Sequence, residues 1–181
     1  GKQALFNVAM ALFDPGDEVI THAPVWPTIP EQIKLAGAEP VFVRTYADEQ
    51  FQVAAERVLD AVTPRTRAIL VNTPHNPTGG VLGRADLEAI AAVARERDLM
   101  VISDEPYEDI VYGGARHVSL AALPEMHERT VSVFTFSKSH VMTGLRLGYV
   151  VVKNPELRAR VLKLISLTVS NVSSVIQHGG L

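Results

Sequence analysis

The sequence of 181 residues has no cysteine. Disulfides and thiolate metal sites are therefore excluded, and the absence fits a reducing compartment; a cytoplasmic protein is expected. Positive charge is not in excess. Lys and Arg number 17 against 20 Asp and Glu, for a formal net charge of −3. Neither nucleic acid nor an anionic membrane surface is indicated by that balance. Apolar runs are short, far from the ~20 residues that a membrane span requires. Aromatic residues are scarce at 6%, with Trp26 the single tryptophan. The six histidines (22, 75, 117, 127, 140 and 178) show no metal-ligand spacing and read as bland, with His75 placed to line a site beside Asn76. There is no internal repeat, low-complexity segment or interdomain linker. What is present is an ordinary globular profile, 47% hydrophobic and 20% charged, enough for one domain with a substantial core.

The chain opens at Gly1 on residues that already read as a helical turn, and stops after a helical pattern at Gly179-Gly180-Leu181. It reads as a piece of a longer protein. Leu5, Val8, Ala9 and Leu12 share one helical face over 3–13, and Asp14-Pro15-Gly16-Asp17 stops that helix. Strands are expected at 18–21, 41–43, 68–71, 99–102, 131–136 and 148–152. Helices are expected at 29–36, ending at Gly37, then at 53–62 and 84–97, and from the Asn154-Pro155 start onward. A short helix is also expected between 103 and 112, with 113–129 irregular. Strands alternating with helices imply right-handed crossovers and a mostly parallel sheet, in a three-layer α/β/α domain.

Ligands in such folds bind beyond the carboxyl ends of the strands. The residues there are Trp26, Asn76, Asp104 with Tyr107, and Lys138 after the run Thr130 to Phe136. Arg146 follows Lys138 by eight residues, and the chain's first turn offers free amides for a phosphate. Separately, each has a plain reading: a helix cap for Asp104, a core aromatic for Trp26, surface cations for Lys138 and Arg146. Glu105, Glu108 and Asp109 read as a solvated edge. Together the strand-end residues suit one chemistry. An aldehyde cofactor needs a lysine amine to hold it as a Schiff base. A pyridine ring acting as an electron sink needs a carboxylate on its nitrogen. Its phenolic oxygen takes donors, its face an aromatic lid, its phosphate arginine, hydroxyls and helix-end amides.

Four motifs then stand in order: Gly1-Lys2-Gln3-Ala4-Leu5, Asn76-Pro77-Thr78-Gly79, Asp104-Glu105-Pro106-Tyr107, and Ser137-Lys138 with Met142-Thr143-Gly144-Leu145-Arg146-Leu147-Gly148-Tyr149. Their order and spacing resemble the class I/II aminotransferases, the aspartate aminotransferase superfamily of fold-type I pyridoxal-phosphate enzymes. The resemblance covers essentially the whole chain. It implies that residues 1–181 are an incomplete cofactor-binding large domain, lacking an N-terminal segment and a C-terminal small domain. The family's sheet has seven strands, and the strand after Arg146 is expected to run antiparallel.

The resemblance also implies roles. Lys138 holds pyridoxal 5'-phosphate as a Schiff base and then transfers protons. Asp104 pairs with the ring nitrogen, Tyr107 and Asn76 donate to the phenolic oxygen, and Trp26 stacks on the ring. Arg146, Thr135, Ser137 and the turn Gly1-Lys2-Gln3 bind the phosphate. Ser170 and Asn171 resemble a segment completing a partner subunit's site in a homodimer. The activity implied is transfer of an amino group between an L-amino acid and a 2-oxo acid, with this piece alone inactive. A carbon–sulfur β-lyase sharing the cofactor site, or a ligand-sensing domain of a transcription regulator, also matches the motifs.

Overall fold

A computed structural model describes residues 1–181. Its six strands form one sheet in the order β2-β1-β3-β4-β5-β6. They are β1 (Glu18–Ala23), β2 (Glu39–Arg44), β3 (Thr66–Asn72), β4 (Met100–Asp104), β5 (Thr130–Thr135) and β6 (Gly148–Val152). Neighbours from β2 to β5 pair in parallel, whereas β6 pairs antiparallel with β5. The mixed sheet and its antiparallel strand after Arg146 are as expected.

Alternation along the strands builds two cores. Successive side chains of a strand point to opposite faces. Ala68 and Leu70 of β3 thus join one cluster with Leu5, Val8 and Leu12 of α1 (Lys2–Leu12). Ile29 and Ile33 of α2 (Thr28–Leu35) and Leu157 and Val161 of α6 (Pro155–Thr168) complete that face. Ile69 and Val71 face the other way, against Val58 of α3 (Ala55–Asp60) and Leu87, Ile90, Ala91 and Ala94 of α4 (Arg84–Glu96). Full burial of each large aliphatic side chain contributes about 1.5–3 kcal/mol, so both faces of the sheet are needed for the fold.

The helix ends follow local chemistry. Asn154 Oδ1 accepts the Leu157 N–H at 3.0 Å, with Pro155 opening the first turn of α6. Gly37 has φ +89° just past α2, a conformation that side chains with a Cβ resist. Two expectations shift. The helix read over 53–62 shrinks to α3, and the short helix read between 103 and 112 is a run of turns. The third change matters for the site. Phe136 does not end β5 but opens a four-residue helix, α5 (Phe136–Ser139), because Thr135 Oγ1 accepts the Ser137 N–H at 3.2 Å and caps it. A last short helix, α7, spans Ser174–His178.

Candidate active site

Because β1, β3, β4 and β5 are parallel, their carboxyl ends meet along one edge. A cavity of about 260 Å³ opens there. Of the eleven residues expected to bind the cofactor, ten line it: Gly1, Lys2, Trp26, Asn76, Asp104, Tyr107, Thr135, Ser137, Lys138 and Arg146. Gln3 does not; it is one turn position further round α1, and its side chain donates to Asn7 Oδ1 at 3.0 Å. Ser170 and Asn171 are exposed and lie outside the cavity, beside Phe136 and Leu147.

Asp104 ends β4 and is 3% exposed. Burial pushes its pKa up to about 7, and Glu105 and Glu108 add to the rise. Tyr107, three residues on, also has a raised pKa, through burial and the charge of Asp104. Lys138 Nζ lies 5.7 Å from the centre of the Tyr107 ring. The sequence suggested a lysine at a buried strand end; in the structure α5 carries it onto the exposed rim of the cavity. No carboxylate pairs with Lys138 or with Arg146, whose Nη1 donates to the Thr143 carbonyl at 2.7 Å. Arg146 is in the left-handed region, φ +57°, at the end of a 3-10 turn over Thr143–Leu145.

Backbone packs closely between α1 and β5. A Cβ on Gly1 would meet Thr135 Cβ at 3.3 Å, and one on Gly148 would sit 2.6 Å from the Gly1 nitrogen. Glycine at both positions lets the first turn of α1 approach the Thr135 hydroxyl. Across the cavity, Lys2 Nζ lies 5.1 Å from the centre of the Trp26 ring.

Sequence reasoning missed Asn72. It ends β3, lines the cavity, is 2% exposed, and donates from Nδ2 to Asp104 Oδ2 at 3.0 Å. The available signal was its place as the last residue of a strand beside the one that delivers Asp104. Glu105 was misread. Its side chain is fully buried, bonded to His117 and Ser119, and is no solvated edge.

The family model described as aminotransferase class I and II matches residues 1–179. The chain belongs to this family. The aspartate aminotransferase of Geobacillus stearothermophilus is 41% identical over 181 residues, 99% of this chain and 46% of that protein. A probable aspartate/prephenate aminotransferase of Aquifex aeolicus is 46% identical, with 99% and 46% covered. Among solved structures, an aromatic aminotransferase from Pyrococcus horikoshii superposes with TM-score 0.95 at 40% identity, covering 98% of this chain and 47% of that one. An aspartate aminotransferase from Thermus thermophilus with maleate gives TM-score 0.92 at 40% identity, covering 97% and 45%. The chain thus spans about half the length of the relatives it matches. Its helices and mixed sheet are those of an aminotransferase.

Proposed function

We propose that residues 1–181 are the cofactor-binding large domain of a pyridoxal-phosphate-dependent aminotransferase, acting on an amino acid and a 2-oxo acid as a cytoplasmic homodimer. One observation carries the reading: three cations without carboxylate partners, Lys2, Lys138 and Arg146, share a cavity with one buried carboxylate, Asp104. A ligand with an anionic group, a cationic ring atom and an amine-reactive carbon complements that set. Pyridoxal phosphate has all three, and when bound it supplies a sink for the electron pair left on the substrate's α-carbon.

The chain's own residues then divide the work. Arg146, the Thr135 hydroxyl, Ser137 and the amides at the start of α1 take the phosphate. Asp104 would hold the ring nitrogen's proton, and the positive charge there would favour its ionised form. Asn76 and Tyr107 donate to the phenolic oxygen, and Trp26 covers one ring face. Lys138 Nζ would hold the aldehyde carbon, and as a free amine it would be the base that takes and returns the proton at the substrate's α-carbon. Relatives acting on aspartate, prephenate or aromatic amino acids share this domain, so groups outside it choose the substrate. Aspartate as amino donor is the first to try, since several relatives carry that name.

The test uses the full-length protein. With pyridoxal phosphate it is expected to show a visible absorption band, a borohydride-reducible link to Lys138, and amino transfer from aspartate to a 2-oxo acid. Lys138→Ala is expected to lose the link and to slow transfer at least about a hundredfold. A reducible link surviving in Lys138→Ala would remove Lys138 from its role. Release of pyruvate and ammonia from a thioether amino acid, without amino transfer, would replace the transferase reading with a lyase.

A further inference from the structure

Asn72 touches two of the residues placed on the cofactor, and it does so with one side chain. Its Nδ2 donates to Asp104 Oδ2 at 3.0 Å and to the Asp104 carbonyl at 3.1 Å. Its Oδ1 accepts the N–H of Asn76 at 2.9 Å. Strand register makes this possible: Asn72 and Asp104 are paired as the last residues of β3 and β4. With Oδ2 occupied, Oδ1 of Asp104 is the oxygen left for the cavity.

The backbone of Asn72 is held as well. The ladder between β1 and β3 ends at the pair Thr21 and Leu70. Beyond it, the Asn72 N–H donates to His22 Nε2 at 3.1 Å. His22 is 3% exposed and packs its ring 4.3 Å from that of His75, whose Nδ1 lies 2.7 Å from Thr78 Oγ1. Imidazole, amide and carboxylate therefore form one buried chain beneath the cavity, running from the tip of β1 to the loop of Asn76. A neutral imidazole suffices to accept that bond, and burial keeps His22 neutral by pushing its pKa down to about 3.

We propose that Asn72 is a positioning residue: its carboxamide fixes the orientation of Asp104 and, through the Asn76 amide, the distance between the two residues assigned to the cofactor's ring nitrogen and phenolic oxygen. The proposal rests on the aminotransferase reading. A hydrogen bond to a carboxylate favours the charged form. Asn72 therefore also keeps Asp104 from protonating further in its buried site, where Glu105, Glu108 and Tyr107 surround it.

The experiment compares wild type, Asn72→Ala and Asn72→Leu in the full-length protein. Asn72→Leu keeps the side-chain volume and removes the donor to Asp104 without adding a charge, and it serves where Asn72→Ala fails to fold. The first readout is Asp104 titration in the cofactor-free protein, followed by carboxyl 13C NMR and assigned with Asp104→Asn. The second is affinity for pyridoxal phosphate by equilibrium dialysis. Loss of the donor is expected to raise the Asp104 midpoint by about one pH unit and to weaken cofactor binding about tenfold. The rate of amino transfer is expected to fall with little change in KM. An unchanged midpoint and affinity in both variants, even with lowered thermal stability, would reduce Asn72 to a structural residue and overturn the proposal. A shifted midpoint in a protein that takes up no pyridoxal phosphate supports the Asn72–Asp104 coupling and instead sinks the cofactor reading.

Discussion

Glu105 Oε2 lies 2.7 Å from His117 Nε2, and the two side chains are only 1% and 10% exposed. Ser119 Oγ donates to the other carboxylate oxygen at 2.8 Å. A buried carboxylate thus receives two donors from a segment that has no helix or strand of its own between β4 and the 3-10 turn at Leu120–Ala122. The bonds tie this segment to the tip of β4, next to Asp104 and Tyr107. Function and packing meet at adjacent residues: Asp104 faces the cavity, and Glu105 faces the loop that walls it.

The consequence for stability is direct. Removing a buried acceptor strands its donors, which costs more than the bond itself contributed. Glu105→Ala in the full-length protein is expected to lose about 2–3 kcal/mol in denaturant unfolding. Glu105→Gln keeps an oxygen for one donor and should lose less. Equal losses in the two variants would mean that the carboxylate does not hold the segment.

Much of this architecture was legible in the sequence. The periodicity of Leu87, Ile90, Ala91 and Ala94 marks α4, and the unbroken Ala68 to Val71 marks a strand covered on both faces. The cavity residues were legible too, since a parallel sheet sends its strand ends to one edge. What was not legible depends on pairing between distant residues. Glu105 looks solvent-facing until His117 and Ser119 fold back on it. Asn72 looks like a loop residue until register sets it beside Asp104. The apolar reading of Phe136 hid the cap that Thr135 supplies, one residue earlier, to the helix bearing Lys138.

That cap is testable on its own. Thr135 Oγ1 accepts from the Ser137 N–H and donates to the Leu147 carbonyl at 3.3 Å. Thr135→Val preserves shape and removes both bonds. It is expected to cost about 1 kcal/mol in denaturant unfolding of the cofactor-free protein. Thr135→Ser should restore most of that. A valine variant as stable as wild type would show that α5 forms without its cap.

Asp104 gives the cofactor-free protein a pH dependence of unusual sign. Its folded pKa is raised from the ordinary 3.8 to about 7, chiefly by burial. The folded state therefore binds its proton more tightly than the unfolded chain. The stabilisation is full below pH about 4 and is lost as pH rises toward 7. A difference of roughly three pH units corresponds to about 4 kcal/mol. Asp104→Asn is expected to be more stable than wild type at pH 8 without cofactor, with the gap closing near pH 4. Urea unfolding across that range checks it. A gap that is constant with pH would show that Asp104 is ionised in the folded state throughout.

His22 works in the opposite direction. Burial lowers its pKa from 6.5 to about 3, with His75 adding to the effect. His75 itself is lowered to about 4, also by burial. Both rings are neutral in the fold, and protons bind more readily to the unfolded chain. Their contribution is present above pH 6.5 and is lost as pH falls from there toward 4. Acid should therefore destabilise the protein over a window in which Asp104 stabilises it. Substituting one group exposes the other. His22→Gln keeps a side-chain oxygen to accept from the Asn72 N–H but cannot take a proton. It is expected to reduce the loss between pH 6.5 and 4.5 to the part due to His75, making the Asp104-dependent loss toward pH 7 more visible. Urea unfolding of the cofactor-free full-length variant at pH 4.5, 6 and 7.5 separates the two. If the acid limb of the variant matches wild type, the imidazole at position 22 is not the group that opposes folding in acid.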